Sequence, residues 1–411
     1  MTKPVNLYMW LFGFFATMPI LRIFSITLYT IFLMAFVPLL FIYLVTRTIK
    51  IKPANIEKSY VLIFLLSIVS SVISLFRMPQ KWNESWMTSI LQFVVVFLFY
   101  IFFSVTEQIS WLKSYVHGVY AASLFQMGWG YLQLLTHSFE INLNDMVFKE
   151  WLGITDIVEF TQSSAKSIKV SGICWNAGNL APLLIFGYIY SNNIIIKALF
   201  FVLSIVSGSR TAVLGIVFCV CFQIGYKIIK EKKVSKIGLI LFFGGIIMGL
   251  LIIRTVGKSI WDRIVARGLE ALLSSIEFAQ EASGRVHARY ILSVPEVTRK
   301  NSLINNLFGY GMGCSGYVFS AFYGQYENAG QWVVECDFVN YLWNFGYLGF
   351  IAYYYWYIKN IINAYAIDFK YLLLFATLLF QGIFYNVTFN WCNLLIVSIF
   401  LLAHKNENIF D

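Results

Sequence analysis

The chain has 411 residues, 59% hydrophobic and only 12% charged, with a formal net charge of +10. A soluble domain of this length would carry about twice that charge. The composition argues against an ordinary water-soluble globule and for a chain whose solvent is the bilayer; the apolar runs are too long for barrel strands, so helices are expected to span.

In chain order, the apolar runs predict about twelve spans: 4–21, 23–45, 60–76, 87–105, 114–135, 173–190, 194–208, 211–229, 237–253, 333–357, 371–387 and 389–403. The first run leads to Arg22 and a second apolar run rather than to a small-residue cleavage site, so it reads as a span. Loops 47–58 and 227–236 are rich in Lys and Arg. Placing both in the cytoplasm satisfies the positive-inside rule, sets an even number of spans between them and puts both termini inside. The chain then divides into an N-terminal transmembrane bundle (1–253, with an outer loop at 136–172), a large outer loop (254–331) and C-terminal transmembrane helices with a cytoplasmic tail (332–411). Within the large loop, Ile260, Ile264, Leu272 and Ile276 fall at roughly helical spacing. They predict an amphipathic helix lying on the membrane surface, or equally one packed on its own loop.

This topology sorts the basic residues. Fifteen fall inside, and fourteen of those are Lys; of the fifteen outside, nine are Arg. Position in the membrane needs only positive charge, whereas Arg adds a planar fork that binds phosphate through two parallel hydrogen bonds. Solvated charges on a long loop that escapes the positive-inside rule would give the same bias.

Four stretches could carry chemistry. In "SGRVHARY", a helix over 285–293 ending before Pro295 would put Arg285 and Arg289 on one face beside an N-terminus capped by Ser283. That suits a diphosphate, although a solvated helix face looks the same. In "SGSRTAVLG", Arg210 stands between two apolar spans; a charge at a helix centre costs roughly 2.5–3.5 kcal/mol on insertion scales, so it serves a function or snorkels to the interface. In "LFGYGMGCSG", Gly309, Gly311, Gly313 and Gly316 allow backbone to approach another group closely, without the βαβ setting of a dinucleotide site. In "VVECDFVNYLWNFGYLGF", Glu335 and Asp337 stand at the outer mouth of a span. One would serve as a general base and the other structurally, or either would pair with an arginine.

The six cysteines show no CxxC spacing and the four histidines are dispersed, so neither a metal site nor a disulfide framework is indicated; Cys314 and Cys336 could still meet outside the lipid.

Together these stretches resemble the O-antigen polymerase and ligase superfamily of bacterial inner-membrane glycosyltransferases. "SGSRTAVLG" is similar to that family's Ser-x-Ser-Arg start of a span, "ASGR" to its Ser-Gly-Arg loop motif, and "FGYGMG" to its glycine turn. "ECDFVNYLWNFGYLGF" is similar to its return into the membrane, and "KVSGICWNAGNLA" is a fainter likeness with Lys169 in place of Arg. The ligases carry His-Asn where this chain has Glu335-Cys336, which favours a polymerase.

The resemblance implies an all-α, polytopic fold with a large periplasmic loop containing amphipathic helices. It also implies a metal-independent, inverting glycosyl transfer from one undecaprenyl-diphosphate-linked chain to another linked repeat unit, on the periplasmic face. Glu335, Asp337, Arg210 and Arg285 would be catalytic. Arg210, Arg285, Arg289, Lys169, Asn176, Asn179, Gly311 and Gly313 would bind diphosphate and sugar. No cofactor is expected. The partners would be the lipid-linked oligosaccharides, the bilayer and a chain-length regulator, with no nucleic acid. The rival readings are an O-antigen ligase, a flippase or other transporter, which would suit twelve spans but predicts an internal repeat that is not found, and a non-catalytic scaffold.

Overall fold

The computed structural model describes residues 2–23, 26–46, 56–76, 83–106, 108–153, 169–174, 176–231, 290–318, 334–388 and 391–411. They are mostly helical, in keeping with the all-α expectation. In chain order the elements are α1 (Thr2–Ala16), β1 (Arg22–Ile23), β2 (Ile26–Thr27), α2 (Leu28–Val45), α3 (Lys58–Leu75), α4 (Asn83–Val105), α5 (Ile109–His137), a π-helical segment (Asp145–Trp151), α6 (Ala177–Tyr190), α7 (Ile194–Val206) and α8 (Arg210–Glu231). After these come α9 (Val294–Lys300), α10 (Leu303–Phe308), α11 (Asp337–Tyr365), α12 (Phe369–Gln381) and α13 (Trp391–His404).

A helix stands at each described position where a span was expected, with corrected ends. The run 4–21 stays helical only to Ala16: Pro19 disfavours helical backbone at Met18, and two turns bring Arg22 opposite Thr27 in a short antiparallel ribbon. The run 23–45 therefore starts at Leu28. The run 173–190 starts at Ala177, where Asn176 caps it, and 371–387 becomes 369–381, capped by Asp368. The run 333–357 extends from Asp337 to Tyr365 and is broken at Gly346. Of the helix expected over 285–293, the described residues 290–292 are helical and give way to a turn at Ser293, and the earlier ones lie outside the described residues. Pro295 stands in the first turn of α9, where its missing N–H costs nothing. Span 237–253, the amphipathic stretch 260–276, Arg285 and Arg289 lie outside the described residues.

Among the described residues one segment, Thr211–Lys230, is long and apolar enough to cross a membrane; seven other apolar helical segments are 10–17 residues long.

α1 and α5 cross almost backbone to backbone, because a side chain at Gly13 would collide with the Tyr115 carbonyl and one at Gly118 with that of Trp10. Around them Phe12, Phe36, Phe99, Phe103 and Trp111 form a buried aromatic cluster. The interior also holds many small polar side chains, such as Ser67, Ser70, Ser123, Ser204 and Ser398, while Phe41, Ile194, Ile195, Ile351 and Ile362 lie more than half exposed.

Polar contacts gather at the two ends of the helices. At one end, Glu57 meets Lys359 at 2.8 Å and Asn360 at 3.0 Å, Lys113 meets Glu407 at 2.6 Å, and Lys370 donates to Asn192 at 2.8 Å. The other end holds every described residue of the sequence motifs.

Candidate functional site

The site is built from loops that the helix ends hold in place. The first is the "KVSGIC" loop between the π-helical segment and α6. Val170 N–H donates to the Ser207 carbonyl at 2.9 Å, so exposed Lys169 lies beside the "SGSR" turn that opens α8. Two buried glutamines one heptad apart on α5 grip the loop backbone at Gly172 and Ile173. Gln133 Oε1 accepts from Gly172 N–H at 2.9 Å; Gln126 Oε1 accepts from Ile173 N–H at 2.6 Å, while its Nε2 donates to the Thr17 carbonyl at 3.2 Å. Asn144 Nδ2 donates to the Gly172 carbonyl at 2.9 Å, with its own Oδ1 held by Trp129 Nε1 at 2.7 Å. Buried loop backbone needs such partners, and here side chains supply them.

This loop ends at Asn176, the N-cap of α6. Its Oδ1 accepts from Asn179 N–H at 2.9 Å, so the two asparagines of the motif stand together as cap and third helical residue. The other half of the Asn176 amide reaches across the site: Nδ2 donates to the Tyr385 hydroxyl at 2.7 Å. Tyr385 lies in the loop after α12, outside the helices. Burial first, and the nearby Glu335 charge second, push its phenol above the usual tyrosine range. Its ring closes over Gly178, where a β-carbon would sit 2.8 Å from the ring. Asn176, Tyr385 and Glu335 thus form one group.

Asp337 opens α11 and is 2% exposed. Its Oδ2 accepts from the N–H groups of Val387 and Thr388 at 3.1 and 3.0 Å, and its own N–H donates to the Gly382 carbonyl at 2.8 Å. That carboxylate clamps the loop carrying Tyr385. Asp337 thus has a structural task, and Glu335, half-buried just ahead of the helix, is the acid whose charge reaches the tyrosine. The same loop reaches α8: Gln381 Nε2 donates to the Thr211 carbonyl at 3.1 Å. Arg210, the first residue of α8, therefore has its backbone one residue from this contact.

The glycine turn approaches α11 rather than open space. Tyr310 and Gly311 N–H donate to the carbonyls of Trp343 and Asn344, both at 2.8 Å; Cys314 and Ser315 N–H donate to Asn344 Oδ1 at 3.1 and 2.9 Å. Gly309 and Gly346 both have positive φ, 77° and 66°, and lie in backbone contact across the break in α11. A ladder of amides continues inward: Asn344 Nδ2 donates to Asn340 Oδ1 at 3.0 Å, and Asn340 Nδ2 to Asn386 Oδ1 at 3.1 Å. Gly311 and Gly313, expected to bind substrate, are placed by this turn at α11.

The structure thus brings Lys169, the Arg210 backbone, Asn176, Asn179, Glu335 and Asp337 to one end of the bundle, with Gly311 and Gly313 joined through the ladder. Arg285 and Arg289 lie outside the described residues. Sequence reasoning missed Tyr385, Gln126, Gln133, Gln381, Asn340 and Asn344. For the five amides the available signal was a polar side chain inside an otherwise apolar run, which is costly to bury unless it is bonded; Tyr385 gave no such signal. Among the described residues no group of three His, Cys, Asp or Glu side chains is arranged to hold a metal, and all six cysteines are free.

Chemically, the group offers a carboxylate beside a phenol and an amide at the end of an apolar bundle. Such a group can orient a hydroxyl and take its proton. Neither a search against protein-family models nor a search of curated proteins found a match to this chain.

Proposed function

We propose that this protein is an O-antigen polymerase of a bacterial inner membrane: a multi-pass protein with both termini in the cytoplasm and its site on the periplasmic face. It would join an undecaprenyl-diphosphate-linked chain to the sugar hydroxyl of a linked repeat unit. The observation that carries this reading is that three separate motif segments, 169–179, 207–211 and 335–337, are joined at one end of the bundle by residues 381–388. Motifs far apart in sequence that meet around a carboxylate are what a shared site requires.

The exposed apolar helix faces support the multi-pass reading. Phe41, Ile42, Ile194, Ile195, Ile351 and Ile362 are each 57% exposed or more, whereas amides and hydroxyls face inward. A soluble monomer keeps its apolar patches small. Helices shorter than a full span fit this reading through local thinning of the bilayer and snorkelling side chains.

In this reading Glu335 takes the proton of the acceptor hydroxyl, and the oxygen attacks the anomeric carbon as its bond to the diphosphate breaks. The diphosphate leaves with the bonding electrons and needs charge stabilisation more than a proton; Arg210 and Arg285 are proposed to supply it. Direct displacement inverts the anomeric centre.

Deletion of the gene tests this. Loss of a polymerase leaves single repeat units on lipid A-core. Loss of a flippase leaves none, and loss of a ligase leaves polymer stranded on the carrier lipid. Either of the last two outcomes overturns the proposal.

A further inference from the structure

At the end of the bundle opposite Glu335, two lysines are neutralised: Lys113 by Glu407 and Lys359 by Glu57. Three others converge without such partners. Lys197 in the first turn of α7, Lys227 near the end of α8 and Lys370 in the first turn of α12 stand on three helices that pack around α6. The charges of Lys370 and Lys227 both bear on Lys197, and no carboxylate does. Among the described residues, none of the three makes an ion pair.

Their surroundings are polar but neutral. Lys370 donates to Asn192 Oδ1 at 2.8 Å and to the Phe410 carbonyl at 3.1 Å, and the Lys197 ammonium lies 5.7 Å from the centre of the Tyr188 ring. Asp368, two residues before Lys370, is already engaged: its oxygens accept from the Lys370 N–H at 2.9 Å and from Asn408 at 3.3 Å. Like charges gathered in one place repel, and an anion held between them removes that cost. Each ammonium carries three donors, and Lys197 and Lys227 spend none of theirs on described protein atoms.

The adjoining surface says what the anion is attached to. From the same end, α7 exposes Ile194, Ile195, Leu199 and Val202. A free phosphate or an acidic peptide leaves that apolar face bare. A molecule with a phosphate head and acyl chains covers both.

We infer that the ends of α7, α8 and α12 hold the headgroup of an anionic phospholipid between Lys197, Lys227 and Lys370, with its acyl chains along α7. The inference rests on the multi-pass reading with this end in the cytoplasm, where basic pockets between helices hold such headgroups. Three cations match two phosphates better than one, so a diphosphatidyl headgroup is favoured.

Native mass spectrometry of the full chain in detergent tests this without requiring turnover. The probes are cardiolipin, phosphatidylglycerol and phosphatidylethanolamine, each titrated alone and again with an equal concentration of inorganic pyrophosphate. Occupancy should fall in that order and resist pyrophosphate. Lys197→Gln and Lys227→Gln should each weaken cardiolipin binding about fivefold. Lys58→Gln removes the same charge from an exposed position at the same end and should leave it unchanged. Lys370 is left in place because its ammonium also ties Asn192 to the Phe410 carbonyl. Lysines that merely reach for water would bind the zwitterionic lipid as well as the anionic ones, and that result overturns the inference. So does wild-type binding in both variants, an equal loss in Lys58→Gln, or displacement by pyrophosphate, which would assign the lysines to a soluble phosphate. Extraction of membranes with alkaline carbonate separates this site from the reading beneath it. Release of the chain with selective binding intact would sink only the multi-pass reading. A carbonate-resistant chain without selectivity would sink only the lipid site.

Discussion

Asn176 donates to the Tyr385 hydroxyl at 2.7 Å, across 209 positions of sequence, while the same amide caps α6. One side chain thus fixes a helix start and aims a phenol. Asn176→Ala should cost about 1 kcal/mol through the lost cap and lower chain extension further than that loss explains. Tyr385→Phe should keep the ring over Gly178 and reduce extension alone. Thermal unfolding in detergent, measured beside product length, separates the two effects.

The two acids should respond differently. Asp337→Asn keeps an oxygen able to accept from Val387 and Thr388, so fold and partial extension should persist. Asp337→Ala leaves buried N–H groups unpaired, at about 1–3 kcal/mol each, and should destabilise the protein. Glu335→Gln should abolish extension while the protein still folds. If Asp337→Asn were as inactive as Glu335→Gln, the division of roles would be wrong.

Legibility in the sequence varies with the kind of signal. Apolar runs located every described long helix, because a run of apolar residues is read without knowledge of its partners. Helix ends were less legible: the break at Gly346 depends on Gly309 pressing against it, and Gly309 lies in a different segment. Glu335 and Asn176 could be singled out as polar residues in motifs. Tyr385 could not, because a tyrosine after an apolar run looks like any other until Asn176 is seen to point at it.

Gln126 offers a test of the buried clamp. Gln126→Leu removes the partner of Ile173 N–H, at about 1–3 kcal/mol for a buried group left unpaired, and leaves the Thr17 carbonyl only the Cys174 thiol at 3.6 Å. The variant should melt earlier and free the "KVSGIC" loop. Limited proteolysis between Lys169 and Asn176 reads the second effect.

The end opposite the site carries a pH signature. Burial pushes the Glu57 carboxyl up, but hydrogen bonds from Lys359, Asn360 and Ser59 outweigh it and hold the group below its ordinary range. The bond to Glu57 raises Lys359 in turn. A depressed carboxylate stabilises the fold above its unfolded value of about 4.3, and that contribution disappears as pH falls through the lower folded value. A raised lysine contributes below about 10.4 and loses its contribution as pH rises through the higher folded value. The difference in melting temperature between wild type and Glu57→Gln should therefore be flat near neutrality and shrink at both extremes. A difference independent of pH would exclude the pair as its source.

Gly346 separates α11 into a short outer rod and a long inner one. The outer rod, from Asp337 to Phe345, is tied to the 309–315 turn and to the loop after α12. A continuous helix would act as a lever, swinging Glu335 whenever the long rod leaned. The joint would absorb that lean, so Glu335 and the loop carrying Tyr385 would keep their places while the rest of the helix shifts.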